Sequence, residues 1–473
     1  MDAGVGLLVP RQANAGRRTV KRTRRERVAT FFPLDRLRPG LADRWYWAVL
    51  AVLVGAMISL ARVPSGHGVL NNIWAEDGSN FLTDALNGNP YQAIVRPHNG
   101  YFVMVTRILA IPASLVPITW APAVLTSEAA LITGLMAFAV YVASRAHLRH
   151  QLARLIAAAP VLAVPVGENI AASTANNVAT LQFAAVYMAL WMVLWVPARR
   201  GARIVSAMAV LAVSLSTFLA AVLLPLALLR LYARRDKTSA AMVGSLLVGL
   251  AANIVAISVH LTARPAMLPS RYDPVWALST VGGWALPHAL FGYGISGKGS
   301  QAVEPSWLIV ASWPIVTAII LVALFRLTRP QWKLVAVLGI TALVLVCASI
   351  MQYGGAELRY VVAPELMLFA ALAALMLPRP DRPRWLGWAP LLTLSVCVAL
   401  VLAFSYQTAG PRATLTAWNA SVNRAQTACL DANTGAVYIF PSDGAVLSLP
   451  NGTPIPAEPP FGFPVRIPCD RLR

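Results

Sequence analysis

Charge is what this chain has least of. Only 12% of its residues are Asp, Glu, Lys or Arg, against about a quarter in an ordinary soluble domain. That shortage argues against a water-soluble globular fold. Acidic residues are the scarcer sign, 19 against 39 basic ones, and the basic excess is almost all arginine. Cysteine is sparse, four in all, and nothing has metal-ligand spacing. No Gly-rich phosphate loop ending in Lys-Ser/Thr occurs, which removes ATP-driven transport. The Ser, His and Asp residues form no recognisable hydrolase motif. The short basic loops leave no room for a nucleotide-binding domain.

What the chain has instead is apolar length. Residues of the hydrophobic type make up 58% of it. Runs of roughly 17 to 25 apolar residues recur between short basic clusters, as in a polytopic helical membrane protein. The net charge of +20 does not indicate nucleic acid. The arginines sit between apolar runs, where they orient a membrane protein with its basic loops in the cytoplasm.

The expected fold is an all-α bundle of about eleven transmembrane helices. Residues 1–44 form a basic cytoplasmic tail, and Arg17 to Arg27 either contacts anionic lipid or is simply topogenic and disordered. Residues 45–405 form the membrane domain. Its first outer loop is 65–120 and a second large outer loop is 261–306. Gly100 to Val116 is apolar enough to mimic a span, but Arg107 interrupts it, so it is read as a helix lying at the outer interface. The run 204–233 breaks near Ser216-Thr217 and is split into two short crossings. Residues 406–473 form an extracytoplasmic tail with alternating runs such as Ala436 to Phe440, which can pair as strands. Cys429 and Cys469 in that tail can form a disulfide if it lies outside. Cys347 and Cys397 read as small packing residues in apolar helices.

Polar residues gather at the outer ends of the spans. Glu76-Asp77 lies in Trp74-Ala-Glu-Asp-Gly78, just after the first crossing. A carboxylate there can act as a general base at the membrane surface, or cap the start of a helix. Neighbouring residues point different ways, so the two are not expected to serve one atom. Arg96-Pro-His98-Asn-Gly-Tyr101 follows. Arg96 can bind phosphate through its planar fork. His98 can move a proton or ligate a metal, or be structural. Arg107 must pair, face water or snorkel. Glu168-Asn169 ends the third crossing, with Asn176-Asn177 close by. Glu357-Leu-Arg359-Tyr360 lies where a lipid phosphate would sit, although Arg359 can equally pair with Glu357. Arg271, His288 and Lys298 in the second large loop are weaker candidates.

Taken together, an acidic pair in the first outer loop, Gly100-Tyr101 with Arg107, and Glu357 to Tyr360 before the penultimate span resemble the GT-C superfamily of integral membrane glycosyltransferases. The likeness is to bacterial glucosyl- and arabinosyltransferase-like members. It covers most of the chain by topology and about twenty residues by motif. The chain departs from such members in lacking a large folded C-terminal carbohydrate-binding domain.

The resemblance implies a donor, a polyprenyl-phosphate sugar, and a glycan or lipid acceptor on the extracytoplasmic face of the inner (plasma) membrane. It implies Asp77 as the base, with Glu76 as the alternative. Arg359, then Arg96 and Arg271, would offset charge building on the departing phosphate. Some members use a divalent metal, magnesium or manganese, and others none. The rival readings are a flippase for lipid-linked glycans, which needs polar residues strung through the spans, and a non-catalytic envelope scaffold. Asp77, Arg96, Glu168 and Arg359 are expected to line one cavity.

Overall fold

The computed structural model describes residues 23–35, 44–63, 67–166, 173–258, 274–293, 306–353, 358–381, 383–407, 412, 415–431, 433–451, 453 and 463–473. Glu168, Asn169, Arg271, Lys298 and Glu357 lie outside the described residues.

The chain is mostly helical. Five helical stretches are long and apolar enough to cross a membrane: Ile118–Ala146, Lys237–Ser258, Trp307–Leu324, Trp332–Ile350 and Trp385–Phe404. In chain order the main helices are α1 (Arg24–Ala29), α2 (Trp45–Leu60), α3 (Thr83–Leu86), α4 (Pro90–Ala93), α5 (Met104–Leu115), α6 (Ala121–Ala143) and α7 (Gln151–Ala158). They continue as α8 (Leu181–Leu194), α9 (Arg200–Ser214), α10 (Leu224–Arg234), α11 (Lys237–Ser258), α12 (Pro274–Thr280) and α13 (Leu286–Phe291). The last are α14 (Ser306–Leu324), α15 (Trp332–Tyr353), α16 (Val362–Leu375), α17 (Arg384–Phe404) and α18 (Trp418–Ala428).

Small residues decide how closely the first helices approach. A Cβ on Gly134 of α6 would lie 2.5 Å from the Val52 carbonyl of α2, and one on Gly55 would lie 3.0 Å from the Gly134 Cα. Backbones meet there without side chains between them, which is how helices pack where the surroundings are as apolar as the side chains. Helix α16 is the bundle's centre, with every residue of its last two turns buried. Helices α14 and α17 instead expose Trp313, Val310, Val396 and Leu400, as lipid-facing surfaces do. Cys397 is exposed on α17 and so packs in no core, since its side of the helix faces outward.

The break at 215–217 has a physical cause. Ser214 and Ser216 turn their hydroxyls back to the carbonyls of Leu211 and Ala212, a local competition that weakens a helix. Thr217 then accepts from the Leu219 amide as a new helix begins. Several polar residues within these spans are tied to backbone groups. Asn253 of α11 accepts from the Phe102 amide at 2.8 Å and donates to the carbonyls of Ser214 and Gly249. The Ser216 hydroxyl accepts from the Val105 amide. They fasten α9 and α11 to the segment that starts α5.

At the basic end of the bundle, part of the N-terminal tail is ordered rather than free. Residues Leu34–Asp35 (β1) pair in parallel with Val196–Pro197 (β2). Phe32 is fully buried. The buried Asp35 carboxylate meets Arg145 and accepts from the Trp195 indole at 2.8 Å. An apolar ring and a paired carboxylate supply the burial that a purely basic tail lacks.

The C-terminal tail holds a three-stranded antiparallel sheet, ordered β4 (Val446–Pro450), β3 (Thr434–Ile439), β5 (Val465–Pro468). Cys429 and Cys469 are joined as a disulfide, which ties the end of α18 to the turn after β5. The sheet sits on the segment between α2 and α5. Asn87 and Arg466 exchange hydrogen bonds, and the Thr83 hydroxyl accepts from the Arg466 amide. The Trp418 indole donates to the Ile118 carbonyl at 2.8 Å. Val465, Ile467 and Trp418 belong to the same continuous core as the helices.

Candidate active site

The segment Trp74-Ala-Glu-Asp-Gly78 turns sharply. Ala75 has a left-handed φ of 46°, a conformation that costs a non-glycine residue of the order of 1 kcal/mol. A π-type turn, Asp77–Leu82, follows at once. Gly78 is required, because a Cβ there would lie 2.5 Å from Ile73 and 2.6 Å from Val465 of β5. The turn sends the two carboxylates in different directions.

Asp77 points inward and is only 4% exposed. It does not cap its own helix. Its two oxygens accept from the amides of Val178 at 3.0 Å and Ala179 at 2.9 Å, in the turn that leads into α8. Asn176 in that turn is also left-handed, with φ 53°. Its side-chain amide exchanges two hydrogen bonds with Ser59 at the end of α2. Arg412, from the C-terminal tail, is buried behind this turn. It donates to the carbonyls of Ala175 at 2.6 Å and Asn176 at 3.3 Å, and to Asn72 at 3.2 Å. Burial raises the Asp77 carboxyl to about 7, although the two amides and the charge of Arg412 oppose the rise. Burial likewise pushes Arg412 down to about 10, against the pull of Asp77.

Glu76 faces the other way, with 23% of its side chain exposed. Its Oε1 stands 3.9 Å from His98 Nε2. Burial raises this carboxyl, but His98 and the charge of Arg359 outweigh it and leave it below its ordinary value. Chain geometry holds His98 in place. His98 and Tyr101 exchange backbone hydrogen bonds of 2.8 and 3.1 Å. Asn99 and Gly100 between them have φ 49° and 80°, which is the tight Asn-Gly hairpin turn. The Phe81 ring packs edge-on against the imidazole at 5.3 Å. Arg359 sits just ahead of α16, beside Tyr360, whose ring meets Phe183 of α8 at 5.1 Å.

A second charged cluster lies on the same loop. Asp84 receives both Arg96 and Arg107, each at 2.6 Å. Arg107 is 2% exposed and its guanidinium lies 5.1 Å from the centre of the Phe81 ring. Phe81 therefore separates the Asp84 cluster from His98. The structure brings Glu76, Asp77 and His98 together with the charge of Arg359 on Glu76. Arg96 is turned instead to Asp84, with 61% of its side chain exposed. His288 lies elsewhere, buried in α13 with Nδ1 against the Trp284 carbonyl.

Sequence reasoning passed over Asp84 and Arg412. Asp84 had a signal, since a buried Arg107 demands an acid and Asp84 is the remaining carboxylate of that loop. Arg412 had none, because its partners are up to 340 residues away in the chain. Among the described residues, no three or more His, Cys, Asp or Glu side chains cluster so as to hold a metal ion. Asp77 spends both oxygens on amides, and among the described residues Glu76 and His98 stand beside it.

The chain matches no family model and no curated protein. It is similar to solved structures of the Archaeoglobus fulgidus oligosaccharyltransferase. One, a crystal structure of the complex with zinc and sulfate, has a TM-score of 0.38 at 14% identity, covering 81% of this chain and 55% of that one. Another, archaeal oligosaccharyltransferase AglB in complex with an inhibitory peptide and a dolichol-phosphate, has a TM-score of 0.35 at 12% identity, covering 82% and 58%. The chain spans little more than half the length of that enzyme.

Proposed function

We propose that this protein is a membrane glycosyltransferase that passes a sugar from a polyprenyl-phosphate donor to a cell-envelope glycan or lipid acceptor. The reaction takes place on the extracytoplasmic face of the inner membrane. The supporting observation is the meeting of Glu76 and His98 with the charge of Arg359, backed by Asp77 and Arg412. These residues come from the first outer loop, the start of α16 and the C-terminal tail. A carboxylate, an imidazole and a guanidinium charge at one place suit a reacting phosphate ester.

In this reading the acceptor hydroxyl attacks the anomeric carbon. The bond from that carbon to the phosphate oxygen breaks, and its electron pair leaves with the phosphate. The hydroxyl proton passes to a carboxylate. Glu76 is the better placed base, because it is the carboxylate with an open side, and geometry ranks before basicity. Asp77 holds the 176–179 turn and acts as the positioning residue. Arg359 offsets charge growing on the phosphate. Arg96 and Arg107 act through Asp84 to fix the wall around Phe81. Glu168, Asn169, Arg271, Glu357 and Tyr360 are proposed to complete the substrate-binding surface. The domain reading is a cytoplasmic segment 1–44, a membrane domain 45–405 with eleven crossings, and an outer tail 406–473 that backs the site.

A flippase requires polar groups free along the spans. Ser214, Ser216 and Asn253 are each committed to backbone partners, while Glu128 of α6 and Glu365 of α16 keep carboxylate oxygens without a hydrogen-bond partner among the described residues. The transferase reading therefore rests on the Glu76–His98 site and not on the spans. The test is sugar transfer in membranes supplied with radiolabelled polyprenyl-phosphate sugars. Glu76→Gln should abolish transfer at normal protein levels. Full transfer by both Glu76→Gln and Asp77→Asn would refute the proposal.

A further inference from the structure

The opposite end of the bundle carries a cluster that the glycosyl-transfer reading does not use. The inner ends of α6, α15, α16 and α17 enclose a cavity of about 430 Å³. Its lining includes Arg149, Arg329, Arg379, His147, His150 and Trp388. Arg329 and Arg379 also line an adjoining cavity of about 650 Å³, together with Arg326 and Asp381. Asp381 is the one carboxylate among the described residues of either lining.

Three arginines from three separate turns thus line one cavity, with one acid beside it. Membrane orientation accounts for arginine at this end, but like charges facing one cavity repel, and of the three only Arg379 has a carboxylate beside it among the described residues. Arg379 is held in position by two bonds to Asp381, at 2.7 and 2.9 Å, and by one to the Arg326 carbonyl at 2.6 Å. Arg149 and Arg329 have no carboxylate partner among the described residues. Their turns are fixed by the backbone. The amides of Arg329 and Gln331 donate to the carbonyls of Leu377 and Ala374 at the end of α16.

His147 is 5% exposed and its ring packs inward, against Phe31 at 5.5 Å and Trp191 at 6.4 Å, so it forms the cavity's floor rather than a free ligand group. Also in the lining, His150 and Trp388 pack edge to face at 4.9 Å. Trp385 and Phe325, 76% and 72% exposed, stand on the neighbouring helix ends, where aromatic rings mark a membrane–water boundary.

We infer that this cavity binds a phosphate ester, with Arg149, Arg329 and Arg379 around its oxygens and Trp388 against its organic part. Arginine forks suit that geometry. The ester can come from an anionic phospholipid headgroup at the boundary or from a soluble phosphate compound.

The test uses the full-length protein in two arms. In the first, it is placed in phosphatidylcholine nanodiscs doped with phosphatidylglycerol, and co-purifying lipid is measured by native mass spectrometry. In the second, inorganic pyrophosphate is titrated calorimetrically into the protein in detergent. Arg149→Gln with Arg329→Gln is the test variant. Arg199→Gln with Arg200→Gln removes equal charge from exposed positions at the same end of the bundle and is the control. The expected result is ligand capture that falls about tenfold or more, the equivalent of 1.4 kcal/mol, in the test variant and stays at the wild-type level in the control. Retention of phosphatidylglycerol alone assigns the headgroup, and pyrophosphate binding assigns a soluble ester. No binding in either arm, or equal loss in both variants, overturns the inference. Thermal unfolding of both variants checks that they fold, which their exposed positions lead us to expect.

Discussion

At the scale of the residue, the adjacent carboxylates differ because one turn gives them different surroundings. Asp77 is pushed up to about 7 by burial, and Glu76 ends below its ordinary value through His98 and Arg359. The pH profile of transfer therefore separates their roles. With Glu76 as base, the rate should stay level from neutral pH down into the acidic range. With Asp77 as base, it should fall with an apparent pKa near 7. The same shift acts on stability. Folded Asp77 holds its proton more tightly than the unfolded chain does. Its contribution is complete below the unfolded value of 3.8 and is lost as pH rises through about 7. Asp77→Asn removes that slope but leaves one of the two amides facing an NH₂, at a cost of about 1–3 kcal/mol. Denaturant titrations at acid and neutral pH check both signs. Asp84 supports a sharper expectation. Asp84→Asn leaves Arg107 buried beside a neutral amide, and losing one partner of a buried pair costs roughly 3–5 kcal/mol. Arg96→Gln, on the exposed side of the same carboxylate, should cost under about 1 kcal/mol. Equal effects in melting experiments would show that Asp84 is not the partner on which Arg107 depends.

At the scale of the element, what could be read from the sequence was what short-range chemistry dictates. The apolar runs, the break at Ser216-Thr217, the Asn99-Gly100 turn and the alternation at 436–440 all carry local signals. The ordered 23–35 segment was obscured because arginines dominate its surroundings, while its fully buried residues are just Phe32 and Asp35. The site was legible only in part for the same reason. Glu76-Asp77 stands out by charge in an apolar chain, but the acceptor role of Asp77 depends on amides about a hundred residues later in the chain. Helix packing gives an expectation that local propensity does not. Gly134→Ala places a methyl against the Val52 carbonyl of α2, and overpacking of this kind costs about 1–3 kcal/mol. Gly339→Ala in α15 meets nothing within 4 Å, so the better helix former should leave stability equal or higher. Thermal unfolding of the two variants in one detergent compares them directly.

At the scale of the whole molecule, the C-terminal tail, the segment between α2 and α5 and the turn before α8 form one body. Arg412, Trp418 and Arg466 each reach across from the tail to that body. The basic end, with Asp35, Arg145 and the β1–β2 pair, lies beyond the other ends of α6 and α8. In the proposed orientation the arginine-rich end faces the cytoplasm, as the distribution of basic loops favours, and the tail with its Cys429–Cys469 disulfide faces an oxidising compartment, where such bonds persist. Both arguments support the orientation proposed above. The disulfide closes a loop with a sequence separation of 40 residues, for which chain entropy predicts about 4 kcal/mol of stabilisation. Cys429→Ser with Cys469→Ser should therefore loosen the sheet and, through Arg466 and Thr83, the segment that carries Glu76. Transfer should weaken in that variant and fail at a lower temperature than in the wild type. A membrane-impermeant maleimide applied to intact cells should label the tail cysteines only after reduction. Labelling before reduction would mean that the bond does not form there. Absence of labelling even after reduction and detergent-free unfolding would put the tail in the cytoplasm. The carboxylate pair would then face the cytoplasm with it, and the assignment of the reaction to the outer face would be lost.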